Sequence, residues 1–211
     1  MKSALLRALL VLALAVLLAS GSYATLDQPI AHLAQHAPAW LGKLAALVTR
    51  IGNPGWSLPP AALLWAWWRW RRPDPVRAAG AARVFLAVAG AGIASEILER
   101  CVGRARPHLL FEQDIYGFAF LQFRRHFDSM PSSHAAVSFA LCLSLALLLP
   151  RHRFWRGGLL ALAVIAASCR LILNAHYLGD VLIGAALGIA AALLAAAWIT
   201  SRNAAPAALR T

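Results

Sequence analysis

Residues 158–199 read GLLALAVIAASCRLILNAHYLGDVLIGAALGIAAALLAAAWI, and this stretch decides the fold. Two apolar runs, Gly158 to Leu173 and Val181 to Ile199, flank a polar turn from Asn174 to Gly179. Crossing about 30 Å of hydrocarbon takes roughly 20 apolar residues in a helix, so the runs read as a membrane span and its return. Only Arg170 and Asp180 carry formal charge in the whole stretch. A charge at the centre of a span costs roughly 2.5 to 3.5 kcal/mol on insertion scales, which places both residues at a span end or beside a polar cavity.

The same pattern continues outward along the chain. Apolar residues make up 61% of the 211 and charged residues 13%, a balance that excludes water as the main solvent. Further spans are expected at Ala4–Leu18, Trp56–Trp68, Arg77 to about Val102, and Ala135–Leu149. The chain 1–211 is therefore expected to be one all-α domain, a six-helix transmembrane bundle. Residues 1–24 form the first span or a signal anchor, since Lys2 and Arg7 precede the apolar run and Ala19 to Ala24 also has the small-residue character of a cleavage site. An uncleaved anchor gives an even number of spans with both basic termini on the cytoplasmic side.

Between the first two spans, residues 26–51 repeat apolar positions at three- and four-residue steps: Ile30, Leu33, Ala37, Leu41, Leu44 and Val48. That spacing predicts an amphipathic helix lying on the periplasmic membrane surface. His32 and His36 share one of its faces, as a metal pair would, but no acidic or cysteine ligand lies near them in sequence. An interfacial role is the better reading. Cys101, Cys142 and Cys169 lack the paired spacing of a zinc site or a disulfide framework and read as small buried hydrophobes.

The net charge of +12 does not indicate nucleic acid, because the basic residues fall in the breaks between apolar runs and form no helix-long stripe. Arg69, Arg71 and Arg72 follow tryptophans, and Arg151, Arg153 and Arg156 form a basic hairpin, so both breaks are expected in the cytoplasm. Counting spans then brings the connection Gly103 to Met130 and the turn Asn174 to Gly179 to one outer face. A second basic group, Arg100, Arg104, Arg106, Arg124, Arg125 and Arg170, accompanies them, and an anionic substrate accounts for it.

Three polar clusters meet at that face: Gly103-Arg104-Ala105-Arg106-Pro107, Pro131-Ser132-Ser133-His134, and Arg170 followed by His176 and Asp180. Singly they are ordinary features, a snorkelling basic helix end, a serine N-cap, and a histidine with a carboxylate four residues on. A helix through the last pair sets the carboxylate where it can bond one imidazole nitrogen and leave the other to attack.

In this order and spacing the clusters, which fall within residues 94–180, resemble the three-part signature of the type 2 phosphatidic acid phosphatases. The resemblance implies a metal-independent membrane phosphatase without cofactor, with six helices and its site facing the periplasm of a bacterial inner membrane. It implies that His176 is a nucleophile forming a phosphohistidine, Asp180 its orienting carboxylate, and His134 the acid for the leaving oxygen. Arg106, Ser132, Ser133 and Arg170 match the phosphate cradle. Two arginines suit a phosphate monoester, which carries about −1.5 to −2 charge near neutrality.

This sequence departs from the family pattern at two positions: Ser133 stands where glycine is usual, and Glu99 where the first motif begins with lysine. Arg100 or Arg104 is then expected to replace the missing cation and to pair with Glu99, unless Glu99 is turned away.

The aromatics Phe111, Tyr116, Phe118, Phe120, Phe123 and Phe127 are expected to anchor the connecting loop at the interface. Arg124, Arg125 and His126 either meet a second phosphate or form a solvated basic turn. The expected partners are the bilayer and a membrane lipid phosphate: undecaprenyl pyrophosphate, phosphatidylglycerol phosphate, phosphatidate or lipid A. A phosphotransferase would show the same residues, and a catalytically inactive lipid-binding or translocating protein is the alternative that an intact His134, His176 and Asp180 argue against. A haloperoxidase shares the anion cradle by family relation, but the span pattern argues against one. Oligomeric state is not legible in the sequence.

Overall fold

The computed structural model describes residues 1–121, 126–149 and 152–208, and these are helical almost throughout. In chain order the helices are α1 (Lys2–Thr25), α2 (Asp27–Gln35), α3 (Ala39–Val48), α4 (Pro54–Ala66), α5 (Pro75–Val102), α6 (Pro107–Gln113), α7 (Ser133–Leu148), α8 (Arg153–Ile172) and α9 (Leu178–Ala208). Their ends follow local chemistry. Asn53 caps α4 and Asp74 caps α5 through side-chain oxygens, each with proline at the first helical position, where a missing N–H goes unnoticed. Gly103 then ends α5 in the left-handed region at φ 59°, which turns the chain into the connecting loop.

Helices α1, α5, α8 and α9 are long and apolar enough to cross a membrane. The other two expected spans are shorter, α7 with 16 residues and α4 with 13, the latter prolonged by a π-helical turn over Trp67–Arg71. The expected single helix within residues 26–51 is instead two, α2 and α3, separated by His36, Ala37 and Pro38. Proline disfavours the helical region for the residue before it, and Pro38 itself is extended at ψ 145°, so the periodicity continues while the backbone breaks.

The interior is built from small residues. Ala87, Val88 and Ala91 of α5 pack with Ala136, Val137 and Ala140 of α7 and Ala192 of α9, while Leu9, Leu63, Ile93 and Val164 are exposed. This inversion of a soluble core is what a hydrocarbon solvent requires, because close approach, and not apolar burial, holds such helices together. On α9 a Cβ at Gly184 would collide with the Ser132 carbonyl, and one at Gly188 with the Ala136 carbonyl. Only glycine lets α9 lie this close to the start of α7.

The packing gathers one set of helix ends. The C-terminal ends of α1, α5 and α8 and the N-terminal ends of α7 and α9 meet, with Gly52, just before α4, against His134. The three motifs lie at this end of the bundle.

Candidate active site

His176 sits in the turn between α8 and α9, and only 3% of it is exposed. Its Nδ1 lies 2.7 Å from the Ser129 backbone carbonyl. A carbonyl only accepts, so Nδ1 carries the proton and Nε2 is left with a lone pair. Asp180 is farther, with Oδ2 at 3.9 Å from Nδ1. The segment from Leu173 to Tyr177 is not helical, so the direct carboxylate-imidazole bond expected from helical spacing is replaced by one through the Ser129 backbone. Asp180 accepts instead from the Ser129 hydroxyl at 2.6 Å and the Tyr177 amide at 2.9 Å.

Around His176 stand Arg170, Arg106 and His134, close enough to bear on its protonation. Burial pushes His176 well below its ordinary value of 6.5, and the charges of Arg170 and Arg106 push the same way. Arg170 Nε is buried without a hydrogen-bond partner among the described residues, a donor available to an anion. Ser132 caps α7, its hydroxyl accepting from the Ala135 amide at 3.5 Å, which leaves the hydroxyl proton free to donate. Arg106 is held by Asp128, with Nε donating to the carboxylate at 2.7 Å and the guanidinium to the Asp128 carbonyl at 3.2 Å. Although burial alone would raise it, hydrogen bonding and charge from Arg106 hold the Asp128 carboxyl below its ordinary value. A cavity of about 500 Å³ opens beside these groups, lined by Arg106, His108, His126, Asp128 and Ala175.

A family model for the PAP2 superfamily matches residues 80–204. The chain belongs to that superfamily. This PAP2 protein is 31% identical over 180 residues to a lipid A 1-phosphatase of Rhizobium johnstonii, covering 81% of this chain and 72% of the relative. It is 28% identical over 172 residues to a lipid A 1-phosphatase of Rhizobium etli, covering 77% and 72%. Two crystal structures share the fold. A transmembrane PAP2-type phosphatidylglycerolphosphate phosphatase from Bacillus subtilis matches with TM-score 0.70 and 20% identity, over 90% of this chain and 94% of that one. Aquifex aeolicus LpxE matches with TM-score 0.62 and 21% identity, over 81% and 94%. A multi-pass membrane protein is the common architecture.

Arg100 and Arg104 do not take the place of the missing lysine in this PAP2 protein. Arg100 pairs with Glu96 at 2.9 Å with its side chain 42% exposed, and Arg104 is fully buried between Asp27 and Asp180, 2.6 Å from each carboxylate. Neither pairs with Glu99. A guanidinium without solvent must be matched by carboxylates, and two are within reach of Arg104. Glu99 is itself buried, with Arg106, Ser133 and Asp128 nearby.

The aromatic loop is divided. Tyr23, Tyr116, Phe118 and Tyr177 surround the Arg104 guanidinium at 4.4 to 5.6 Å from their ring centres, whereas Phe120 is 73% exposed. Phe123, Arg124 and Arg125 lie outside the described residues. His32 packs edge-on against Phe111 at 5.2 Å and stands in no metal-type cluster among the described residues.

Asp27, Asp128, Ser129, Tyr116 and His108 were not singled out as site residues by their spacing. The one available signal was scarcity: only 8 acidic residues occur in the chain, so each one near an apolar run needs a partner.

Proposed function

We propose that this membrane lipid phosphatase of the PAP2 family hydrolyses a phosphate monoester on a lipid headgroup, passing the phosphoryl group through a phosphohistidine at His176, on the outer face of a bacterial inner membrane. The supporting observation is the Nδ1 contact with the Ser129 carbonyl, which fixes the tautomer that leaves Nε2 nucleophilic. Nε2 attacks phosphorus in line as the ester P–O bond breaks, and His134 donates its proton to the departing oxygen. His134 then takes a proton from water, whose oxygen attacks the phosphohistidine, releasing inorganic phosphate and restoring His176. Arg106, Arg170, the Ser132 hydroxyl and the backbone at Ser133 neutralise and orient the equatorial oxygens, a task that arginine forks and fixed donors perform without a metal ion.

A lipid A-type glycolipid 1-phosphate is the substrate we favour, from the activity named for the two Rhizobium relatives. The outward orientation rests on the positive-inside rule: Arg69, Arg71, Arg72, Arg153 and Arg156 lie at the bundle end away from His176.

The test is phosphate release by the purified protein from lipid A, undecaprenyl pyrophosphate, phosphatidylglycerol phosphate and phosphatidate, with chelator present and with orthovanadate. Release should be fastest from lipid A, survive chelator, fall with vanadate and vanish in His176→Ala. Equal slow release by wild type and His176→Ala would remove the enzymatic reading, and a chelator block reversed by magnesium or zinc would remove the metal-free mechanism.

A further inference from the structure

The acid network behind His176 begins outside the region matched by the family, at Asp27, the first residue of α2. Asp27 is completely buried. One of its oxygens accepts from Arg104 at 2.6 Å, the other from the Gly179 amide at 3.0 Å and from the Ser22 hydroxyl. The second arm of the Arg104 fork reaches Asp180 at 2.6 Å. Asp180 holds Ser129, and the Ser129 carbonyl holds His176. The path from Asp27 to the imidazole is therefore continuous, and its polar side chains have almost no contact with solvent. Gly179 is pressed against it: a Cβ there would stand 3.2 Å from Asp27 Oδ2 and 3.3 Å from the Arg104 guanidinium.

Charge gives this arrangement its consequence. An isolated Arg104–Asp180 pair would be neutral, leaving no net counter-charge for an imidazole that becomes cationic as it attacks phosphorus. With Asp27 on the other arm, the cluster carries one net negative charge beside the nucleophile whenever both carboxylates are ionised. We propose that Asp27 is a positioning residue for the reaction, acting through Arg104 to hold Asp180 and to keep this cluster at a net charge of −1. The inference rests on the assignment of His176 as nucleophile. It also gives the α1–α2 junction a part in catalysis.

The acid limb of kcat/KM reads that charge at His176. The other groups facing His176 are Arg170 from α8, Arg106 from the loop after α5, His134 from α7 and Asp180 from α9, and all of them stay unchanged in the test variants. Asp27→Asn takes the cluster from −1 to 0. On lipid A in detergent micelles, the full-length variant should lose kcat by about tenfold, with KM changed less than twofold and the acid limb moved to lower pH. Asp27→Glu keeps the carboxylate opposite Arg104 and leaves the Arg104–Asp180 pair intact, so the charge of the cluster is conserved while its geometry is changed.

Asp27→Glu should keep the acid limb near the wild-type position. The limb reports only active molecules, so a low yield of folded protein does not move it. An unshifted limb in Asp27→Asn, or an Asp27→Glu limb no closer to wild type than that of Asp27→Asn, overturns the inference and makes Asp27 a structural pin. His176→Ala run alongside separates the two layers. Its inactivity with an unaltered Asp27→Asn overturns only the role of Asp27, whereas persisting activity in His176→Ala overturns the nucleophile assignment and this inference together.

Discussion

His176 Nδ1 is 2.7 Å from the Ser129 carbonyl and 3.9 Å from the nearer Asp180 oxygen, so the proposed nucleophile is oriented by backbone and the carboxylate stands one step behind. A neutral acceptor fixes the tautomer without adding a charge to favour the imidazolium. Burial, then Arg170 and Arg106, depress the folded value below 6.5, so His176 stays unprotonated in mildly acidic solution. The acid limb of kcat/KM should therefore fall below pH 6.5, and a limb at or above that value would contradict the assignment. Linkage runs the same way. Because the folded value lies below the unfolded one, stabilisation by neutral His176 is complete above about pH 6.5 and is lost as pH falls through the depressed folded value. Melting temperature in detergent should drop across that window, less steeply in His176→Asn.

On the proposed mechanism, Asp128 competes with substrate for Arg106. Its carboxylate both orients the guanidinium and repels an arriving phosphate. Asp128→Asn keeps an oxygen for Arg106 Nε and removes the charge, so inorganic phosphate and vanadate should inhibit more tightly, by roughly 1 kcal/mol or about fivefold. Weaker inhibition would show that the charge of Asp128 is needed to place Arg106.

Glu99 adds a second carboxyl group next to the same arginine. Glu99→Gln should tighten vanadate inhibition, and Glu99→Lys should tighten it at least as much with turnover retained, since it restores the cation usual in this family. A Glu99→Lys protein that inserts and folds but does not turn over would give Glu99 a role of its own, such as holding Arg106.

Close packing of α9 on α7 sets the position of Ser132. Gly184→Ala drives a methyl group against the Ser132 carbonyl and should cost about 1 to 3 kcal/mol of stability, with a fall in kcat as the cradle shifts. Gly90→Ala in α5 meets nothing within 4 Å and should leave melting temperature and kcat near wild type. Equal behaviour of the two variants would remove the close-approach argument.

Local spacing was enough to read most helices and the three motifs, because a membrane span is a property of about twenty consecutive residues and a helix cap of four. Pro38 lay in view as well, yet the amphipathic period across it continues unbroken and hid the division between α2 and α3. The sequence by itself determined that the protein is a helical membrane protein with a phosphate-binding signature at one bundle face. Which partners Arg104, Ser129 and Asp180 take was decided only by tertiary structure. Asp27 and Arg104 are 77 residues apart, and Ser129 and His176 are 47 apart. Such buried pairings follow from how closely α1, α7 and α9 approach, and small residues, glycine above all, permit that approach without announcing which polar groups it brings together.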